Sequence, residues 1–272
     1  MPDLQYVPRT HAFAVIRMDP VAMVRHLGDP EATRAAEALT PKSYPVYVEM
    51  DSALPFPDRP WYGLTVSLVG PHLRPAVDED CVSQEMCSPI FPNTNHPKGR
   101  VPVRTQPDFP FNGCYFWSKT SMKIRVCARP EGFDWEGTTL LRGEEYVRWM
   151  RYESEDMMRR VRAQRARERQ PEPSESVPAR PNPAAHSIRV DDSPDTEGAV
   201  GLMCADFDVC SYAESDISTI DTFVEMGLSP DSMLDLELQP IFHLWGDLAA
   251  NLTQDEIPSP IDLLQECDTI TR

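Results

Sequence analysis

YPVYVEM (residues 44–50) and WYGLTVSLVG (61–70) decide the fold class. In the first, Tyr44, Val46, Val48 and Met50 fall on one side of an extended chain; in the second, Leu64, Val66 and Leu68 do. CYFWSKTSMKIRVCARP (114–130) repeats the pattern, with Met122, Ile124 and Val126 alternating with Lys123, Arg125 and Cys127. A period of two suits antiparallel strands with one buried and one wet face. The segments between them, ALPFPDRP, SPIFPNTNHPKGRVPV and QPDFPFNG, are dense in proline, which lacks the amide donor of a central strand. Phe56, Phe91, Phe109 and Phe111 are placed to peg those loops to the sheet. Short strands separated by turn signals predict an α+β fold built on a small antiparallel β-sandwich or partly open barrel.

Upstream, THAFAVIRM (10–18) reads as a further strand. Asp19-Pro20 and Asp29-Pro30 each pair an N-cap residue with proline at the first helical position, so short helices are expected over 20–27 and 30–39, with Gly28 ending the first. Two helices joined through glycine admit a helix-turn-helix reading beside that of a simple packing pair.

Downstream, GEEYVRWMRYESEDMMRRVRAQRARERQ (143–170) predicts a long C-terminal basic helix. Val147, Met150, Ser154, Met157 and Val161 recur at the spacing of one helical face, and are expected to lie on the β module. Acids at its start and arginines at its end agree with the helix dipole. At about 100° per residue, Arg159, Arg160, Arg162, Arg165, Arg167 and Arg169 point nearly all round the axis. Such a ring suits an import receptor or a polyanion such as nucleic acid, or else a solvated helix end; a stripe for reading bases would be one-sided.

Charge divides the chain. Residues 1–170 carry 23 Lys/Arg against 22 Asp/Glu, whereas 171–272 carry 3 against 21. The expected organisation is therefore an α+β module over 1–142, the amphipathic-to-basic helix over 143–170, a disordered Pro/Ser/acidic linker over 171–200 and an acidic, partly helical tail over 201–272. In the tail, SPDSMLDLELQPIFHLWGDLAANLTQDEIPSPIDLLQECD (229–268) interleaves bulky apolar residues with acids, a composition found in segments that order a short helix on a partner's groove. Phe242, Leu244, Trp245 and Leu248 are the expected anchors for a protein partner, with Ile261, Leu263 and Leu264 as a second set. The competing reading packs 217–265 as two or three small helices on each other or on the β module.

No glycine-rich nucleotide loop, HExxH, GxSxG or paired CxxC is present, and no cofactor is expected. Cys81, Cys87, His96 and Cys114 supply four soft groups in one stretch, but the gap between the first two is longer than an ordinary zinc knuckle. The absence of a secretory leader, of a long apolar run and of a disulfide-like cysteine framework predicts a nuclear or cytoplasmic protein without membrane partners. The sequence thus predicts a non-enzymatic regulatory or interaction protein, with transcriptional regulation among its roles; the alternative is a small enzyme or zinc-binding protein with its site in the 81–114 loops.

Overall fold

The computed structural model describes residues 4–52, 60–169 and 239–271. The expected linker, and the part of the acidic tail before residue 239, lie outside these. In chain order the elements are β1 (Leu4–Gln5), β2 (Ala12–Met18), α1 (Pro20–Val24), a 3₁₀ turn (Arg25–Leu27), α2 (Pro30–Glu37), β3 (Ser43–Asp51) and β4 (Trp61–Gly70). There follow β5 (Cys87–Pro89), β6 (Thr105–Gln106), β7 (Tyr115–Trp117), β8 (Met122–Cys127), β9 (Phe133–Asp134), β10 (Leu140–Leu141) and α3 (Gly143–Glu168). The last group is β11 (Ile241–Trp245), α4 (Leu248–Asn251), a 3₁₀ turn (Gln254–Glu256) and α5 (Pro260–Thr271).

The architecture is mixed α+β around a barrel. Strand β2 pairs β3, β3 pairs β4, β4 pairs β8, β8 pairs β11, and β11 returns to β2. This circuit of five strands is closed rather than partly open. Strand directions cannot alternate perfectly around an odd ring, so one neighbouring pair must be parallel. Here it is β8 and β11, with Ile241 opposite Arg125 and Phe242 opposite Val126. A parallel neighbour needs a long crossover, and the whole chain between the two strands supplies it.

Alternation carries the core. Ala14, Ile16, Val46, Val48, Leu64, Val66, Leu68, Ile124, Val126, Phe242 and Leu244 are buried in one cluster, capped by Phe133, Trp135, Met23 and Leu263. The opposite faces of β2 and β3 send Phe13, Val15 and Tyr47 into a second cluster with Val69, Phe116, Trp149, Leu248 and Leu252. Phe116 and Trp149 stack with ring centres 5.0 Å apart, and Phe13 meets Phe109 at 5.0 Å. Of the expected loop pegs, Phe109 and Phe111 lie in this second cluster, Phe91 carries the Arg104 guanidinium over its ring at 4.2 Å, and Phe56 falls outside the described residues.

Asp19 and Asp29 cap α1 and α2, accepting from the amides of Ala22 at 2.9 Å and Glu31 at 2.8 Å. Gly28 ends the intervening turn at φ 62°, a left-handed conformation that side chains other than glycine resist. Helix α1 is five residues long, buries Pro20 and Met23, and contributes Met23 to the barrel cap.

The face of α3 differs from the expected one. Val147, Met150 and Met157 are 67%, 41% and 48% exposed, whereas Trp149, Tyr152 and Asp156 are buried. The barrel side is held by a polar contact: Arg100 donates to both carboxylate oxygens of Asp156, one at 2.8 Å, and also to the carbonyl of Cys87 at 2.9 Å. The Ser118 hydroxyl shares its single proton between Asp156 Oδ2 at 2.7 Å and Glu153 Oε1 at 2.8 Å. A carboxylate placed on an inner helix face is stable only with such partners. Removing one side of a buried pair costs about 3–5 kcal/mol. The periodic methionines had the right spacing, but the aromatic residues cover more area.

Candidate functional site

Residues 239–271 form part of the barrel, which corrects the reading of this stretch as a free recruiting tail; residues 201–238 lie outside the described residues. Phe242 and Leu244 are fully buried inside the barrel, and Leu248 and Leu263 are buried in its two clusters. These four side chains cannot serve as exposed partner anchors without opening the core. Trp245 is half-buried beneath the guanidinium groups of Arg17 at 5.4 Å and Arg129 at 5.2 Å. Ile261 and Leu264 alone of the proposed anchors stand substantially exposed, with Leu263 between them facing inward. Gly246 shows why the strand fits as it does: an added Cβ would lie 2.7 Å from the Asp134 carbonyl and from the Trp135 ring.

The six arginines do not form a free ring either. Arg160 donates to the Asp80 carbonyl at 2.6 Å and pairs with its carboxylate at 3.7 Å, while Arg167 reaches the Glu79 carbonyl at 3.5 Å. Arg159 lies 3.9 Å from both Glu85 and Asp156. Arg162, Arg165 and Arg169 are exposed.

Cys81, Cys87, His96 and Cys114 are not gathered into a ligand set. Both ring nitrogens of His96 face backbone groups, Nε2 the Glu85 carbonyl at 3.1 Å and Nδ1 the Lys98 amide at 3.2 Å. Cys87 and Cys114 are buried, donate to the carbonyls of Gln84 and Asn112, and have thiols pushed up to about 12 chiefly by burial. These are the properties of inert core thiols.

A different cluster forms where three adjacent barrel strands meet. Asp19 follows β2, Cys127 ends β8, and His243 lies in β11. Phe242 is opposite Val126 of the parallel β8, so the next residues, His243 and Cys127, lie side by side; on the antiparallel β2 side His243 is opposite Arg17, and Asp19, two residues further along, is its diagonal neighbour on the same face. Phe242, Val126 and Met18 point into the barrel, so alternation turns those neighbours outward. One ligand-capable atom from each of the three lies within 4.8 Å of the others. His243 Nε2 is 3.1 Å from Asp19 Oδ2. The other Asp19 oxygen caps α1, and the Asp19 amide donates to the Ile241 carbonyl at 2.8 Å, so the carboxylate is fixed at both ends. Burial, and secondly the Asp19 carboxylate, raise the Cys127 thiol above its ordinary range.

Asp19 and Cys127 border a cavity of about 620 Å³ between α1 and the outer barrel wall. Its apolar lining is Ala22, Met23, Pro60, Trp61 and Ile241, and its basic groups are Arg25, His26 and Arg125. The Arg125 guanidinium lies 5.5 Å from the Trp61 ring centre and donates through Nε to the Gln239 carbonyl at 2.7 Å. Among the described residues this constellation combines a ligand-sized space, an apolar wall and convergent charge. Sequence reasoning placed Asp19 only as a helix cap, Cys127 on the outer face of a strand and His243 within the tail. No protein-family model, curated protein or solved structure matches the chain. Among the described residues no helix is long and apolar enough to cross a membrane.

Proposed function

We propose that this protein is a binding protein whose groove between α1 and the barrel wall receives an anionic small molecule with a flat apolar portion. The observation carrying this reading is the pairing of an apolar wall containing Trp61 and Ile241 with the Arg25 and Arg125 side chains, around a cavity of about 620 Å³. That volume lies within the range of roughly 300–1,000 Å³ typical of small-molecule sites. A guanidinium held beside an indole can recognise a carboxylate or phosphate while the ring stacks on a planar group. A catalytic cysteine is disfavoured: the Cys127 thiol is raised rather than lowered, and the histidine nitrogen in the cluster is directed at Asp19.

Calorimetric titration of the full chain with planar aromatic carboxylates and phosphates tests the proposal, with uncharged isosteres as controls. The anions should bind, and Arg125→Gln or Trp61→Ala should weaken them about tenfold or more, a loss of roughly 1.4 kcal/mol. Equal binding of charged and neutral compounds, or indifference to both substitutions, would refute it.

A second reading follows from α3. Its outward Val147, Met150, Met157 and Met158 are exposed, and Arg162, Arg165 and Arg169 lie exposed toward its end. An apolar stripe with a basic end suits a protein partner carrying an acidic amphipathic helix. This retains an interaction role while moving its surface from the C-terminal segment to the helix.

A further inference from the structure

We propose that Asp19, Cys127 and His243 bind one divalent cation of the zinc class, with an open coordination position toward the α1 groove. The ligand types are the first support. Thiolate, imidazole and carboxylate together suit zinc, whereas magnesium and calcium favour all-oxygen sites.

Distances supply the second support. Metal–ligand lengths of about 2.0–2.3 Å imply tetrahedral edges of roughly 3.3–3.6 Å. The separation of His243 Nε2 from Asp19 Oδ2 is 3.1 Å, already near such an edge. With every pair within 4.8 Å, closure requires a side-chain adjustment of about 1 Å.

Rigidity is the third. Cys127 and His243 belong to neighbouring parallel strands, and Asp19 is held to the same strand set through its backbone and to α1 through its carboxylate. Little conformational freedom remains to be lost when the ion enters. Asp19 and Cys127 both line the groove, so a fourth position there is accessible to water or an anionic ligand, as in open zinc sites. Binding replaces the thiol proton of Cys127 with the metal and releases that proton to solvent; His243 coordinates as neutral imidazole. The thiolate and carboxylate then balance the two positive charges of the ion.

The inference is independent of the small-molecule reading, because metal uptake is measured without any organic ligand. Full-length protein, stripped with chelator under reducing conditions, is titrated with Co²⁺ and followed by absorption. One equivalent should bind and produce a thiolate-to-cobalt charge-transfer band together with tetrahedral ligand-field bands. Cys127→Ser should abolish the charge-transfer band, and His243→Gln should weaken binding about tenfold or more. The control Cys81→Ser, outside the cluster, should retain it.

X-ray absorption of the zinc-loaded parent supplies a measurement that does not depend on a variant folding: one sulfur and otherwise nitrogen or oxygen neighbours are expected. A charge-transfer band that survives in folded Cys127→Ser overturns the proposal. So does a first shell with two or more sulfurs, or the lack of stoichiometric binding tighter than about 100 µM, some 5.5 kcal/mol on the affinity scale.

Discussion

Glu153 sits on the barrel side of α3, accepting from the Ser118 hydroxyl at 2.8 Å and the Lys119 amide at 3.3 Å. Burial raises its carboxyl above the ordinary value, and the charges of Asp156 and Glu49 add to the rise while the two hydrogen bonds oppose it. A carboxyl raised on folding binds more protons in the folded state between its unfolded value, about 4.3, and its folded value. Stability from this group therefore declines as pH rises through that window. Glu153→Gln, which can still accept from Ser118, should remove that decline. Urea unfolding at a series of pH values from acid to neutral should show the variant gaining on the parent with rising pH; a parallel pair of curves would contradict the assignment. The same principle of local compensation explains Asp156, whose spacing alone would have placed it on a wet face. Its partner Arg100 lies in a proline-rich loop, and nothing in the helix sequence announces that loop's approach.

Helix α3 presents two stripes of opposite fate. Trp149 stacks on Phe116 and meets Tyr47 at 5.2 Å, so Trp149→Ala should cost about 3–5 kcal/mol. Met150→Glu combined with Met157→Glu should leave the unfolding midpoint nearly unchanged, because both side chains are substantially exposed. If the outward stripe receives an acidic amphipathic helix, that double variant should also lose binding of such a peptide in fluorescence anisotropy, whereas full retention would exclude this face. Element identity was readable here from helical periodicity and the dipole-compatible ends. Orientation was not, since a stripe of methionine and valine and a stripe of aromatic and paired polar residues compete for the same core. The competition is decided by what the barrel offers opposite.

For the whole molecule, closure by β11 makes the two ends of the chain interdependent. Phe242, Leu244, Leu248 and Leu263 are buried, and each such side chain contributes about 1.5–3 kcal/mol. Their sum, on the order of 6–12 kcal/mol, is comparable to the entire stability of a typical domain. A chain ending at residue 238 should therefore lack the parent's cooperative thermal transition, and 1–142 should not behave as an independent module. Circular dichroism and calorimetry check this; an unchanged melting temperature in the 1–238 chain would show that the barrel closes without β11. The charge imbalance between the two ends suggested separate regimes, but only interior-facing residues enter the core. A short strand with acids around it satisfies both descriptions.

By itself the sequence determined the β character of the stretches 44–50, 61–70 and 122–127, the caps of the two short helices and the existence of the long helix, because each follows from interactions within a few residues. Tertiary structure alone decided that β11 completes the barrel, which stripe of α3 turns inward and that Asp19, Cys127 and His243 meet. Those outcomes depend on strand pairing between distant segments, and periodicity records which face of an element is apolar without recording what will cover it.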